Sequence, residues 1–363
     1  YSEYTVGIIY APVSFGIKGG IGMFDNMGVF GVGAIGSVIG AYLSKSGHDP
    51  LLIDTWADHV EAMNVSGLRV TAVGDEFTTN VKAMHFGDIA NVEPFDLIFL
   101  AMKSYDTVWS ANLLKNYLKP GGVIVSAQNG VNDDLIASIV GYSNVIGLVI
   151  TIGAGIYDPG HVQRTSVLNR PAFALGELSG IKTARIECLR EIMDNVGPSK
   201  VTTNLWGERW AKLATNCMSN SLAALTGLGS AAIRQEPGVV DQYVKIGSEV
   251  VSVGIRMGLE VEPINGIPAD LYNKALTDQE VMEEVKTRLA EGASQLGDGR
   301  PSMAQDLLKG RKTEIKYLNG YAVSAGLGLG VEAPVNERMT QLIQRMEQGL
   351  LEPSVENIKY LQL

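Results

Sequence analysis

Apolar and polar positions follow two different periods along this chain. Up to about residue 200, short continuous apolar runs recur at 27–30, 50–54, 95–101, 122–127, 145–152, 161–166 and 172–175. Runs of this length bounded by turn residues predict buried strands. Between the first two lies a helix-period segment, 37–46, stopped by Gly47. From Thr203 on, strand-like runs nearly vanish and helical periodicity dominates, with glycine- or proline-marked breaks at 227–229, 266–268 and 297–301. The pattern predicts an α/β unit over 26–200 and a helical unit over 201–363, with no internal repeat. Residues 1–25 stand ahead of this pattern and are expected to be a leader or remnant, without assigned function.

The first strand runs directly into Gly31-Val32-Gly33-Ala34-Ile35-Gly36, and the second ends in Asp54. Strand, glycine turn, helix, strand, acid is the dinucleotide-binding order. Gly31 permits the tight turn, Gly33 admits a pyrophosphate and Gly36 lets the helix pack on the strand. The helix start, from Ala34 and Ile35, offers free amides and a positive dipole end. Asp54 lies 23 residues after Gly31, where an acid accepts hydrogen bonds from ribose hydroxyls. It repels a 2′-phosphate, and residues 55–62 contain no Lys or Arg to receive one. The expected cofactor is therefore NAD, with NADP the alternative. Asp54 has a second reading, as a cap of the next helix. Lys103 and Asn129 fall just past the ends of later strands, on the edge where open α/β sheets bind ligands. They read equally as a solvated helix start and a turn residue.

In the second half, the helix over about 205–225 carries Lys212, Asn216 and Asn220 at i, i+4 and i+8 among apolar or small neighbours. Lysine and two amides on such a face need partners. If the segment 302–325 is one helix, Glu314 falls on its apolar stripe, and the expected partner is Lys212. The alternative is an outward reach to Arg311 or Lys312. Ser302 is either the N-cap of that helix or a ligand-facing hydroxyl. No histidine follows His161. That argues against the His–Asp pair of lactate-type dehydrogenases and leaves Lys212 as the available general acid/base.

Composition narrows the class. Of 363 residues 46% are hydrophobic and 19% charged, a globular profile. Net charge is −10 and no Lys/Arg run exceeds Arg311-Lys312, which disfavours nucleic acid. Two cysteines and four histidines fall at no zinc spacing. No uninterrupted apolar stretch is long enough for a membrane span, so a cytoplasmic protein is expected. Apolar helix faces in the second half suggest a homodimer.

These residues resemble the ketopantoate reductases (2-dehydropantoate 2-reductases). The resemblance runs from Met27 to the end. It is carried by the glycine motif at 31–36, Met102-Lys103-Ser104, Gln128-Asn129-Gly130, Pro159-Gly160-His161-Val162, the block Trp210 to Cys217, Ser302-Met303-Ala304-Gln305-Asp306 and Thr313-Glu314-Ile315. It implies a Rossmann-type doubly wound sheet, an all-α C-terminal domain of the 6-phosphogluconate-dehydrogenase type, and an active site between them. It also implies hydride transfer from a nicotinamide to a branched 2-keto acid. Lys212 would protonate the carbonyl oxygen, and Glu314 would help hold that oxygen and the lysine. Asn216, Asn220 and Ser302 would bind the substrate's hydroxyl and carboxylate, with Asn129 and Lys103 on the cofactor side.

Asp54 departs from the family pattern, in which a basic residue and NADPH are usual. Because cellular NAD pools favour oxidation, a second reading is an NAD-dependent dehydrogenase of the same fold, acting on another hydroxy acid or a secondary alcohol. The β-hydroxyacid dehydrogenases, with their lysine and downstream asparagine, are the analogue. A third reading, a cofactor-sensing protein without turnover, has no use for Lys212 and Glu314.

Overall fold

A computed structural model describes residues 22–293 and 299–362. Most of the 1–25 leader reading therefore lies outside the described residues, as do two positions of the 297–301 break. Phe24 does lie within them, and it is buried in the core.

The strands are β1 Met27–Phe30, β2 Leu51–Asp54, β3 Leu68–Ala72, β4 Asp75–Thr79, β5 Lys82–His85, β6 Phe95–Leu100, β7 Leu118–Ser126, β8 Val145–Ile150, β9 Ala154–Asp158, β10 His161–Arg164, β11 Phe173–Glu177 and β12 Ser199–Val201. Eight of them form one sheet in the order β12-β11-β8-β7-β6-β1-β2-β5. Pairing is parallel from β5 through to β8 and antiparallel between β8 and β11. The chain leaves β1 in one direction and returns to β6 on its other side. That reversal opens a crevice at the carboxyl ends of β1 and β6. The apolar runs explain the sheet's position. Val29, Phe99 and Val125 face one hydrophobic cluster, and their neighbours Phe30, Ile98 and Ile124 face another. A parallel sheet covered on both sides needs such runs.

The sequence-predicted strand at 161–166 belongs elsewhere. It is β10, in a second sheet ordered β4-β3-β10-β9. This sheet packs on helix α1 (Ala34–Lys45).

The helical half is built on α6 (Leu205–Thr226); between α1 and α6 lie α2 (Ala57–Ser66), α3 (Thr107–Leu114), α4 (Asp133–Val140) and α5 (Ala184–Asp194). Asn204 caps the start of α6, accepting from the Gly207 amide, and Gly227, at φ 77°, ends it. Around it pack α7 (Val239–Arg256), α10 (Ser302–Leu308) and α12 (Pro334–Glu347), with α8 (Ala269–Lys274) and α9 (Gln279–Ala293) outside α7. No described helix is long and apolar enough to cross a membrane.

The expected single helix over 302–325 is broken. α10 stops at Leu308, Gly310 turns at φ 63°, a 3-10 turn covers Ile315–Tyr317, and α11 runs Asn319–Leu327. Glycine in the left-handed region ends a helix without Cβ strain. Glu314 thus sits in an irregular segment, not on a helical stripe. The N-cap reading of Ser302 also fails, because the cap position is Pro301 and Ser302 opens the helix.

One buried contact ties the halves together. Arg209 of α6 donates to Asp133 Oδ1 at 2.8 Å and to the carbonyls of Ser126 (2.8 Å) and Gln128 (3.1 Å). Both charged residues are almost wholly buried, and Asp133 Oδ2 and Arg209 Nε have no partner among the described residues. Removing one member strands the other charge. Asp133→Ala is expected to cost about 3–5 kcal/mol, seen as a lower urea midpoint. A change below about 1 kcal/mol would show that the pair does not hold the halves together.

Candidate active site

The glycine turn closes around β1. Gly31 stands at φ 90°, and a Cβ there would meet the Met102 amide nitrogen at 2.7 Å. A Cβ on Gly36 would collide with the Gly31 carbonyl oxygen. Gly33 is different, since a Cβ there would meet nothing within 4 Å. It is also the N-cap of α1, and no side chain caps that helix. Backbone amides, a dipole end and open space together make a fitting cradle for a pyrophosphate.

Asp54 lies beside this turn. Its Oδ2 accepts the Val32 amide at 2.5 Å and its Oδ1 accepts the Trp56 amide at 2.8 Å. The helix-cap reading is overturned: the cap position of α2 is Trp56, with no side-chain cap. Asp54 instead ties the end of β2 to the glycine turn.

Across the cleft, Arg209, Lys212 and Asn216 fall at i, i+3 and i+7 on one face of α6. The Asn216 side-chain amide donates to Asn129 Oδ1 at 3.2 Å, joining the helix to the loop after β7. One turn further on, Asn220 donates to Ser302 Oγ at 3.4 Å. Four of the sequence-predicted residues thus meet in two pairs along one seam.

Lys212 sits at the head of that seam. It makes no hydrogen bond or ion pair with any described residue. It is half-buried, and burial lowers its pKa to about 8.

The expected Lys212–Glu314 contact is not present. Glu314 accepts from both the backbone amide and the hydroxyl of Ser104, each at 2.9 Å, and lies 3.4 Å from Lys103 Nζ. Neither Arg311 nor Lys312 pairs with it. The reason is the broken helix: the irregular segment carries Glu314 to the loop after β6. Lys103 makes a second, shorter ion pair with Asp306 at 2.6 Å. Burial pulls Lys103 down, but the charges of Glu314 and Asp306 outweigh it and hold its ammonium well above the usual lysine range. Burial raises Asp306 in turn.

Ser104 and Asp306, present in the motifs above, were given no site role, nor was Asn132, which donates to the Asn129 carbonyl at 2.8 Å. A signal for Asp306 existed: it follows Ser302 by four residues, on the same face of α10.

The chain is similar to known proteins over nearly all of its described length. A family model described as ketopantoate reductase PanE/ApbA matches residues 27–180, and its C-terminal counterpart matches 204–347. A 2-dehydropantoate 2-reductase of Pyrococcus abyssi is 30% identical over 326 residues, covering 88% of this chain and 97% of that protein. The structure resembles that of a ketopantoate reductase from Ralstonia eutropha, with TM-score 0.74, 27% identity and coverage of 90% and 99% of the two chains. It shares its fold with a D-mandelate dehydrogenase, at TM-score 0.74, 23% identity and the same coverage. With both halves matched, the chain belongs to the ketopantoate reductase family, nicotinamide-dependent oxidoreductases that act on a hydroxyl or keto carbon.

Proposed function

We propose that this protein reduces the ketone of ketopantoate, or a closely similar branched 2-keto acid, with Lys212 as general acid. The observation that carries the reading is the solitary lysine. Lys212 has a lowered pKa, no counter-ion, and a row of amide and hydroxyl groups beside it.

Gly31, Gly33, Ala34, Ile35 and Gly36 would hold the pyrophosphate of a reduced nicotinamide cofactor, which would supply the hydride. This chain supplies the rest. As the new C–H bond forms, the carbonyl π pair moves onto oxygen, and Lys212 Nζ delivers the proton that makes it a hydroxyl. Solvent then reprotonates the amine. Asn216, Asn220, Ser302 and Asn129 orient the acid and hydroxyl groups of the substrate. Each of them has hydrogen-bonding capacity beyond its present contact. Lys103, locked between Asp306 and Glu314, does not donate the proton. It fixes Glu314 at the cofactor side of the cleft.

The cofactor is NAD(H). The Asp54 carboxylate is held beside the glycine turn, and residues 55–62 bring no cation to a 2′-phosphate. The relatives' names support ketopantoate as substrate.

Lys212→Ala is expected to lower kcat/KM for ketopantoate roughly 10²–10⁴-fold. Unchanged turnover would remove Lys212 from the chemistry. The pH profile has a definite sign. Protonated lysine is the acid, so kcat/KM for reduction should fall as pH rises through about 8, and that for the reverse oxidation should rise. A flat profile from pH 7 to 9 would contradict this assignment. In side-by-side initial rates, NADH should exceed NADPH by roughly tenfold or more, about the 1.4 kcal/mol expected of one repulsive contact. Faster turnover with NADPH would overturn the role given to Asp54.

A further inference from the structure

His59 lies in the first turn of α2, wholly buried, and takes no part in the chemistry above. Its contacts run towards the glycine turn. Nδ1 accepts the backbone amide of Gly160, in the turn between β9 and β10, at 2.8 Å. With Nδ1 accepting, the ring proton of the neutral form stands on Nε2, which faces Ser37 Oγ at 3.3 Å. Ser37 spends its own proton on the Val32 carbonyl, at 2.8 Å. The ring is also stacked on Trp56, with centroids 5.2 Å apart. Burial pushes the imidazole down, against a smaller upward pull from Asp54, so the neutral form is favoured.

Val32 is the residue between Gly31 and Gly33. Its amide is held by Asp54 and its carbonyl by Ser37. Both peptide groups flanking the second glycine's approach are therefore fixed by side chains. Glycines on either side leave this peptide little intrinsic preference. Without the relay it samples orientations in which the amides no longer converge on one anion. Affinity then falls by the fraction of time the turn is competent.

We infer that His59, acting through Ser37, is a positioning residue for the cofactor: the relay Gly160–His59–Ser37–Val32 sets the glycine turn in its phosphate-binding form. The small sheet of β3, β4, β9 and β10 thereby supports the cofactor cradle. The inference rests on the glycine turn being the nicotinamide cofactor's site.

The test is NADH affinity, read by fluorescence titration of the full chain, beside steady-state kinetics with ketopantoate. Ser37→Ala removes one oxygen and leaves the imidazole packed, so it stays informative even where His59→Leu fails to fold. Each variant should raise the NADH Kd and the KM for NADH roughly five- to tenfold, the size of one hydrogen bond. At saturating NADH, kcat should stay within about twofold. The double variant should be no worse than the poorer single one, because both cut the same relay. Variants with a lower melting temperature but wild-type NADH Kd would overturn the inference, since a merely structural histidine behaves that way. Equal losses in kcat with unchanged KM would overturn it as well. If the wild-type chain binds neither NADH nor NADPH, the proposed function falls, and this inference with it. Wild-type binding alongside unaffected variants sinks the inference alone.

Discussion

The buried Arg209–Asp133 pair decides where everything else in the cleft lies. Its guanidinium reaches from the first turns of α6 into the carboxyl end of β7, taking two carbonyls and one carboxylate oxygen. Desolvating two charges is costly, and such a pair contributes mainly by forbidding other arrangements. Lys212 and Asn216 follow Arg209 at three and seven residues, on the same helical face. Once the arginine is seated, those two side chains can point only across the cleft. The meeting of Asn216 with Asn129 follows directly from that docking.

The two lysines of the cleft show how position sorts chemically identical groups. Lys103 has two carboxylates within 4 Å, and its charge is fixed. Lys212 has none, so burial acts on it unopposed and brings its pKa towards neutrality. Environments that push two like groups apart separate a structural cation from an acid/base group. Had Glu314 faced Lys212 as the helical wheel suggests, its charge would have opposed that shift. By sequestering Glu314 with Ser104 and Lys103, the fold leaves Lys212 without a counter-ion.

At the other end of the cleft, Asp54 serves two tasks with one carboxylate. Its oxygens take the amides of Val32 and Trp56. Exchanging it for a basic residue to admit a 2′-phosphate would also release the glycine turn. The proposed cofactor preference and the turn geometry thus rest on the same side chain, which a motif treats as a ribose contact alone.

Local features were legible without the structure. The glycine turn, its flanking strands and α6 with its polar row rest on periods and spacings of a few residues, which the chain itself enforces. The short and polar strands were not legible. β4, with the sequence Asp-Glu-Phe-Thr-Thr, has one large apolar residue and reads as a strand only because β3 pairs with it. Asn220 and Ser302 were each identified as site candidates from local pattern, while their pairing across 82 residues was not. Glu314 was singled out correctly as a buried acid but assigned the wrong partner, since a wheel drawn through Gly310 assumes a helix that glycine ends. The sequence by itself determined which residues are the candidates, because residue type and local period are intrinsic. Which lysine keeps a counter-ion was decided only by the docking of the two halves, where contacts spanning about two hundred residues compete for the same carboxylates.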